Sequence, residues 1–373
     1  MELPAINTIK EKIKIHHLFL MVGCIYISLS SVSYYSGFLA LFSLIFFYLS
    51  YIVGEKLYYN LKLDSLIDNT NNNTNKYKIN YSKHYKFGLI LLFIGILFIF
   101  FNLLWVRGVP LFDPASRRFL NVPFTALSRL LLIGWAITVA SNLNMGRLKI
   151  LGYSLIFSTL IMLLGYRTNG MILLLSMLFV TYYSNRIKTK ELIYSSGALF
   201  LILIAMSLQR LYTIGIGGIP LISRIDLTMS VFDIIVKDFN GVFLGLLHYS
   251  AIFSYFGMAS GARTIIANNI GVTSVSITPT IFGAVIGDYG ILGIIPYFGI
   301  LGIFLGLFYK IAEKLKGVYL GVFAIVASYL IVSIETGLLD FDVLLYYLFG
   351  FILCIYISIK SILISNFKKN GKK

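Results

Sequence analysis

The run TPTIFGAVIGDYGILGIIPYFGILGIFLG, residues 278–306, contains a single charged side chain, that of Asp288. A run of this length and polarity is typical of a membrane-spanning segment, because a helix crosses the hydrocarbon of a bilayer in about 20 residues. Glycines recur through the run, and small residues at such spacings let neighbouring helices pack closely. We therefore predict a span over residues 280–308, with Asp288 inside it.

The rest of the chain repeats this pattern. Hydrophobic residues make up 58% of the 373 positions, which leaves too little polar surface to enclose a water-soluble core. Helices satisfy their own backbone polar groups in lipid, so the predicted fold class is all-α and polytopic, with a single transmembrane domain over residues 1–373. The apolar runs predict ten spans, near residues 18–33, 37–53, 87–106, 123–141, 150–165, 169–183, 191–208, 280–308, 317–334 and 342–360.

The formal net charge of +16 could indicate a nucleic-acid partner, but the basic residues lie in short connectors between apolar runs. That distribution is typical of topology signals, so no nucleic acid is expected. If the ten spans alternate from a cytoplasmic N-terminus, both termini and every lysine except Lys237 face the cytoplasm. A cytoplasmic loop rich in Asn and Lys then covers residues 54–86, and the protein is predicted to be a multi-pass protein of the plasma membrane.

Arginine is distributed in the opposite way. On this topology, eight of the ten arginines lie on the outer side: Arg107, Arg117, Arg118, Arg129, Arg167, Arg210, Arg224 and Arg263. The planar guanidinium donates paired hydrogen bonds to phosphate or carboxylate and stays charged when partly desolvated. Such a set suits a phosphate-rich group held above the lipid. Ion pairs with outer acids, or contacts with lipid headgroups, are the alternative.

Arg167 lies in the turn GYRTNGM, residues 165–171. This turn is too tight to reach far into solvent, so the side chain is expected near the membrane interface among the flanking helices. Ionisable groups at such depth usually have a function, although a long basic side chain can also snorkel towards water.

A long extracytoplasmic loop is predicted over residues 209–278. Its segment 239–261 is apolar enough to resemble a span, but counting it as one would place the basic C-terminus outside, so we predict a re-entrant or interfacial helix. His248 on this helix is the one imidazole predicted on the outer side. It could act as a general base or as a structural hydrogen-bonding residue. Asp288 could be an acid/base group, an arginine partner or an interhelical hydrogen-bonding residue.

The sequence contains no nucleotide-binding loop, no HExxH, no CxxC pair and no DxD-like metal motif. We therefore expect no metal and no cofactor. These absences argue against an ATP-driven pump and against a metal-dependent transferase that uses nucleotide sugars.

Taken together, the motifs resemble the O-antigen polymerase family, the oligosaccharide repeat-unit polymerases, and especially its archaeal members. The resemblance covers most of the chain and includes RGVPLFDP at 107–114, the GYRTNG turn, the long late loop and TPTIFGAVIGDYGILG at 278–293. In related polymerases and O-antigen ligases, an arginine in an R-x3-L setting contacts the donor pyrophosphate. Arg167 is placed similarly, with Met171 at the leucine position. His248 resembles the histidine of the ligase H-x10-G motif, with Ala259 at the glycine position.

The resemblance implies a GT-C-like fold and a metal-independent, inverting glycosyltransferase. A polyprenyl-pyrophosphate-linked glycan would donate its reducing-end sugar to a hydroxyl of a second lipid-linked glycan, and a chain-length regulator protein is a further expected partner. Under this hypothesis Arg167, Arg210 and Arg263 bind the pyrophosphate, while Arg117, Arg118 and Arg224 hold the acceptor. His248, or alternatively Asp288, takes the acceptor's proton.

Two other functions stay open at this point. A flippase or transporter for a lipid-linked oligosaccharide would use the arginines to guide the headgroup, although no internal repeat of the kind common in transporters is visible. An O-antigen-ligase-type transferase or a peptidoglycan-type polymerase would share the chemistry and differ in the acceptor.

Overall fold

The computed structural model describes residues 12–61, 63, 81–113, 115–199, 201, 220–272 and 277–370. Every regular element within these ranges is helical, which confirms the predicted all-α class. In chain order the helices are α1 (Ile15–Ser28), α2 (Tyr34–Asn60), α3 (Tyr81–Val106), α4 (Val122–Ser128), α5 (Leu130–Ser141), α6 (Arg147–Met162), α7 (Arg167–Tyr183), α8 (189–199), α9 (Pro220–Asp238), α10 (Leu246–Phe253), α11 (Ala262–Asn269), α12 (Thr280–Tyr289), α13 (Ile294–Leu315), α14 (Gly317–Thr336) and α15 (Phe341–Asn370). Short 3-10 turns occur at Ser116–Phe119 and Ile291–Gly293.

Six helical stretches in the described ranges are long and apolar enough to cross a bilayer, which makes this a multi-pass membrane protein. They are Tyr34–Asn60, Tyr81–Val106, Val122–Ser141, Ile291–Leu315, Gly317–Thr336 and Phe341–Lys360. Three further predicted spans coincide with α1, α6 and α7, which have 14, 16 and 17 residues. The predicted span at 191–208 lies partly outside the described residues. That the chain has ten spans, and that both termini lie in the cytoplasm, stay predictions.

The connector predicted at 54–86 is shorter in the structure, because α2 continues to Asn60 and α3 already begins at Tyr81. Tertiary packing accounts for the extension of α2: Gly54 lies against the backbone of Ile303, and Glu55 pairs with Lys14. Packing of this kind stabilises helical turns that local sequence alone leaves uncertain.

The single span predicted at 280–308 is interrupted in the structure. Gly290 has φ +69°, a left-handed value that glycine adopts without a steric penalty, and it ends α12 before α13 begins. Asp288 therefore lies in the last turn of a short helix instead of the middle of a span.

The loop predicted at 209–278 contains three helices in its described part, α9, α10 and α11. The segment 239–261, predicted to be re-entrant or interfacial, is helical only over Leu246–Phe253. Eight residues extend about 12 Å, too little to cross a bilayer, which agrees with its exclusion from the spans. Its position relative to the membrane stays a prediction.

Two features hold the bundle together. α14 is buried over most of its length and packs against α5, α7, α13 and α15. α2 and α13 meet through glycines: a Cβ at Gly302 would collide with the backbone of Phe47, and one at Gly306 with the carbonyl of Tyr51. The glycines therefore allow the two backbones to touch, as predicted for the Gly-rich run.

Basic residues separate to two ends of this bundle. At what we call the lysine end, Lys14 pairs with Glu55 at 2.8 Å, and Lys12 and Lys316 both donate to the carbonyl of Tyr183, at 3.1 and 2.8 Å. Tyr183 is the last residue of α7, where ammonium groups satisfy free carbonyls and meet the negative end of the helix dipole. Burial, with the nearby Lys12 ammonium, lowers the pKa of Lys316 to about 8.

At the opposite end of α14, roughly 30 Å away for a 20-residue helix, the cations are arginines. This arginine end contains the ion pairs Arg129–Asp342, Arg224–Glu335 and Arg263–Asp340. Lys237, the exception predicted from the sequence, pairs with Asp233 at the same end, at 2.6 Å. The opposite distributions of lysine and arginine thus correspond to two ends of the described structure.

α9 is fixed at the arginine end by its acids. Asp226 accepts a hydrogen bond from the amide of Ser31 at 2.8 Å, and Asp233 accepts from the hydroxyls of Ser33 and Ser36 at the start of α2. Burial raises the pKa of Asp233, but hydrogen bonds from Lys237, Ser33 and Ser36 outweigh it and hold the pKa below its usual value. The carboxylate is therefore ionised at neutral pH, and its negative charge interacts favourably with the positive end of the helix dipole at the start of α2.

We predict that Gly306→Ala destabilises the protein by about 1–3 kcal/mol, because the added methyl group would push α13 away from the α2 backbone. Gly152→Ala is the matched control, since a Cβ there has open space around it. The control should be neutral or slightly stabilising, as alanine favours a helix more than glycine does. Thermal unfolding of the purified protein in detergent measures both, and equal melting temperatures for the two variants would contradict the close packing.

Candidate functional site

His248 and Asp288 form a hydrogen-bonded pair. The Nδ1 atom of His248 lies 2.5 Å from Oδ2 of Asp288, whose side chain is fully buried. The same carboxylate accepts hydrogen bonds from the backbone amides of Leu247 at 2.9 Å and His248 at 3.0 Å. Three donors thus fix the carboxylate, and the carboxylate fixes the imidazole ring.

The backbone brings these two distant residues together. The segment before α10 runs along the end of α12, with the amide of Gly241 donating to Ile286 and that of Phe243 donating to Gly287. The Asn240 side chain accepts a hydrogen bond from the amide of Ile291 just beyond the break at Gly290. This pairing sets α10 directly above the last turn of α12, where Asp288 lies.

The second ring nitrogen of His248 lies among aromatic rings. Nε2 is buried and has no hydrogen-bond partner in the described part of the chain, and the rings of Tyr289 and Tyr297 each lie 5.4 Å from the imidazole. A carboxylate on Nδ1 favours the tautomer that carries its proton there, which leaves Nε2 as a proton acceptor. An imidazole oriented in this way is suited to act as a general base.

A second group of residues surrounds Tyr166, immediately before α7. The guanidinium carbon of Arg117 lies 4.1 Å from the centre of the Tyr166 ring, and that of Arg129 lies 5.2 Å from it. Arg167 is the next residue along the chain. Arg117 and Arg129 therefore both lie over one aromatic ring, and cation–π attraction contributes to holding them there. We call Tyr166, these two arginines and Arg167 the Tyr166 cluster.

The tight turn predicted between α6 and α7 is present and makes this cluster possible. Gly165 has φ +81°, and a Cβ at this position would lie 3.4 Å from Cδ of Arg117 and 3.3 Å from the carbonyl of Pro110. The amide of Leu111 donates to the carbonyl of Leu163 at 3.1 Å. The segment that carries Arg117 therefore packs against the turn at Gly165.

The three arginines of the cluster differ in how their charge is compensated. Arg129 forms a buried ion pair with Asp342, and its carbonyl accepts a hydrogen bond from Tyr346 at 2.7 Å. Arg167 is partly buried and Arg117 is exposed, and neither side chain makes an ion pair or a hydrogen bond within the described ranges. These two arginines of the cluster therefore have no carboxylate partner in the described structure.

The other arginines predicted to bind substrate are placed differently. Arg263 donates to both carboxylate oxygens of Asp340, at 3.1 and 2.6 Å, and Arg224 pairs with Glu335. Arg118 is exposed on the same turn as Arg117. Arg210 lies outside the described residues. The structure thus places Arg117 against the turn that precedes Arg167, and it gives Arg263 and Arg224 partners of their own.

The start of α15 connects the Tyr166 cluster with the segment that carries His248. Asp342 pairs with Arg129, and Asp340, two residues earlier, pairs with Arg263 of α11. Phe341 between them lies against the ring of Tyr255, just after α10, with 4.6 Å between ring centres. Residues 340–342 therefore hold α10, α11 and the junction of α4 and α5 in one assembly.

Arg129 was one of the eight outer arginines predicted from the sequence, but neither it nor Asp342 or Tyr166 was among the residues assigned to the donor, the acceptor or catalysis. A signal for Arg129 was available, because this arginine interrupts the apolar run at 123–141, and ionisable residues in such runs are usually paired or functional. The only signal for Tyr166 in the sequence was its position next to Arg167. Among the described residues, no group of three or more His, Cys, Asp or Glu side chains is arranged to hold a metal ion.

Comparison with known proteins identifies the family to which this chain belongs. The model of the family described as "Putative O-antigen polymerase" matches residues 12–347. An uncharacterized protein of Methanocaldococcus jannaschii is 54% identical over 345 residues, which cover 92% of this chain and 95% of that protein. No solved structure matches the chain.

We predict that Arg129→Met destabilises the protein by about 3–5 kcal/mol, because it leaves the buried Asp342 carboxylate without its partner. The double variant with Asp342→Leu should recover most of the loss, since a matched apolar pair replaces the ions. Arg118→Met, at an exposed position, is the control and should melt like the wild type. Thermal unfolding in detergent of the wild type, the single variants Arg129→Met and Asp342→Leu and the double variant gives the coupling energy. A stable Arg129→Met single variant would contradict the assignment.

Proposed function

Because the chain belongs to the O-antigen polymerase family, we propose that it joins lipid-linked oligosaccharide repeat units into a longer glycan by glycosyl transfer. The observation that carries the proposal is the presence of two complementary parts in the described structure. One is an imidazole oriented by a buried carboxylate, and the other is the pair Arg117 and Arg167, which have no carboxylate partner there. A base and an anion site are what transfer from a lipid pyrophosphate requires.

In this proposal Arg117 and Arg167 bind the pyrophosphate of the donor. Negative charge grows on the pyrophosphate as its bond to the sugar breaks, and fixed cations that need no reorganisation stabilise that charge. The sequence predicted that Arg117 holds the acceptor. We assign it instead to the donor, because it lies over the ring of Tyr166, the residue that precedes Arg167. Arg118, exposed beside it, stays the candidate for contacting the acceptor.

His248 would be the base. Its Nε2 takes the proton from an acceptor hydroxyl while the oxygen attacks the anomeric carbon of the donor's reducing-end sugar. The bond from that carbon to the pyrophosphate breaks on the opposite face, polyprenyl pyrophosphate leaves, and the configuration inverts. Asp288 acts through His248 as a positioning residue, because three hydrogen bonds already engage its oxygens.

Arg263 and Arg224 take a different role from the one the sequence suggested. Each is matched by a carboxylate, so each adds little net charge for a ligand. We propose that they anchor α11 and α9 to the C-terminal part of the bundle and thereby support the site. The extracytoplasmic position of the arginine end, the polyprenyl carrier and a chain-length regulator as partner are further parts of this proposal.

The experiment that tests the function supplies the purified protein with a polyprenyl-pyrophosphate-linked repeat unit, without nucleotide and with a chelator present. A ladder of longer lipid-linked products supports a polymerase. A single transfer to a different acceptor lipid would indicate a ligase. Movement of the substrate across a vesicle membrane without a new glycosidic bond would indicate a flippase and contradict the proposal.

We predict that His248→Gln lowers the rate of chain extension by about 10²- to 10⁴-fold, the usual contribution of a general base. Glutamine keeps much of the side-chain size, so donor binding should be retained. His17→Gln, which changes an exposed histidine at the lysine end, is the matched control and should leave the rate unchanged. Product ladders on gels measure the rates, and a His248→Gln variant with full activity would remove His248 from the mechanism.

We also predict that Arg167→Gln and Arg117→Gln each abolish or strongly reduce extension, because each removes one cation from the leaving group. Arg147→Gln is the control, since Arg147 forms an exposed ion pair with Glu191 and begins α6, at the opposite end of that helix from the turn at Gly165. Extension and donor binding are measured on the same preparations. Retention of both by the Arg167 and Arg117 variants would show that the anion binds elsewhere.

A further inference from the structure

The imidazole of His248 is in contact with two tyrosine rings. Its centre lies 5.4 Å from that of Tyr289, the last residue of α12, and 5.4 Å from that of Tyr297, in the first turn of α13. The Nε2 atom of His248 is buried and has no hydrogen-bond partner within the described ranges. The proposed base therefore reaches the hydroxyl group of a substrate only when a neighbouring side chain moves.

Tyr289 is the ring that can move. It is 47% exposed, whereas Tyr297 is more buried. Exposed side chains change rotamer within picoseconds to nanoseconds, but a ring packed inside a helical bundle has no free space to turn into. Tyr289 therefore separates the imidazole of His248 from the outside.

The packing around Tyr289 fixes its backbone and leaves room for its ring. A Cβ at Gly293 would collide with the Cβ of Tyr289, so the start of this side chain is tightly packed. A Cβ at Gly245 would lie 3.7 Å from Cε1 of Tyr289, so the far edge of the ring lies next to a residue that has no side chain. The ring can thus turn about the Cα–Cβ bond of Tyr289 while the backbone stays in place.

A second exposed tyrosine adjoins the same glycine. Tyr249 is 58% exposed, and a Cβ at Gly245 would lie 2.9 Å from its Cε2 atom. The rings of Tyr249 and Tyr289 therefore meet at Gly245, next to His248. A tyrosine ring combines an apolar face with a polar hydroxyl group, which suits the mixed apolar and polar surface of a sugar.

We propose that Tyr289 is a specificity-determining residue that keeps water away from His248. Without an acceptor its ring covers Nε2, and the terminal sugar of the acceptor displaces the ring and brings its own hydroxyl group to Nε2. The inference rests on the proposed function for the identity of the donor and the acceptor.

The cover has a chemical reason. If water reached the base, the water oxygen would form a bond to the anomeric carbon of the donor and Nε2 would take the proton. The bond from that carbon to the pyrophosphate would break, polyprenyl pyrophosphate would leave, and the glycan would be lost as a free sugar. Closing a site against water is a general way of preventing such a side reaction.

The first test measures the access of a reagent to His248 and needs no substrate. Diethyl pyrocarbonate modifies neutral imidazole, and mass spectrometry of the purified full-length protein in detergent follows each histidine separately. In Tyr289→Ala, modification of His248 should be about 10-fold faster or more, because a minor open state is populated to about 10% or less. Tyr289→Phe keeps the ring and should protect His248 as the wild type does. The exposed His17 is the internal reference.

Tyr153→Ala is the matched control variant. Tyr153 is 49% exposed, and its ring lies 5.9 Å from that of Trp135, so the change removes a similarly exposed ring from another aromatic contact. The reactivity of His248 should stay at the wild-type level in this variant. Thermal unfolding shows whether each variant is folded, and Tyr289→Leu replaces Tyr289→Ala if the latter does not fold.

The second test measures how the reaction divides between water and the acceptor. The protein is supplied with a polyprenyl-pyrophosphate-linked repeat unit, and free reducing glycan is compared with the ladder of extended products. The ratio of free glycan to ladder should rise about 10-fold or more in Tyr289→Ala and not in Tyr289→Phe. Adding His248→Gln to Tyr289→Ala should suppress the release, because both reactions use the same base.

The outcomes distinguish this inference from the proposed function. Unchanged reactivity of His248 in folded Tyr289→Ala overturns the inference and leaves Tyr289 as an aromatic residue of the membrane interface. Faster modification without more free glycan, in a variant that still extends chains, overturns the role in excluding water. Faster modification in a protein that forms neither product would uphold the cover over Nε2 and overturn the proposed function.

Discussion

The buried ion pair between Arg129 and Asp342 is the interaction on which the arginine end depends. It joins the junction of α4 and α5 to the start of α15, more than two hundred residues later in the chain. Removing one partner from a buried pair leaves an uncompensated charge in a poorly solvated place, which costs far more than the pair contributes. The pair therefore acts chiefly as a specific connection: it is satisfied in one arrangement of these helices and heavily penalised in others.

That connection organises the neighbouring residues. Arg129 lies over the ring of Tyr166, so its position is linked to the turn that begins α7. Close to Asp342 in the chain, Asp340 forms an ion pair with Arg263, and the ring of Phe341 packs against that of Tyr255. The arginines then divide by their surroundings. Those matched by a carboxylate hold elements together, whereas Arg117 and Arg167 have no acid of their own in the described structure.

Hydropathy predicted much of this molecule because crossing a bilayer imposes a requirement on each segment separately. The all-α class, most helix positions, the separation of lysine from arginine and the tight turn at Gly165 could all be read from local composition. The break at Gly290 and the helical turns at 54–60 could not, because each depends on what packs there. His248 and Asp288 were both candidates from the sequence, yet their contact depends on the pairing of the segment 239–243 with the end of α12.

The sequence by itself thus determined that this chain is a helical membrane protein in which most arginines are separated from most lysines, because residue type alone fixes the cost of placing a side chain in lipid or at its surface. Only the tertiary structure decided which arginines are already neutralised by a carboxylate and which carboxylate holds the ring of His248. These properties depend on atoms contributed by residues far apart in the chain, and no local pattern specifies which helices become neighbours.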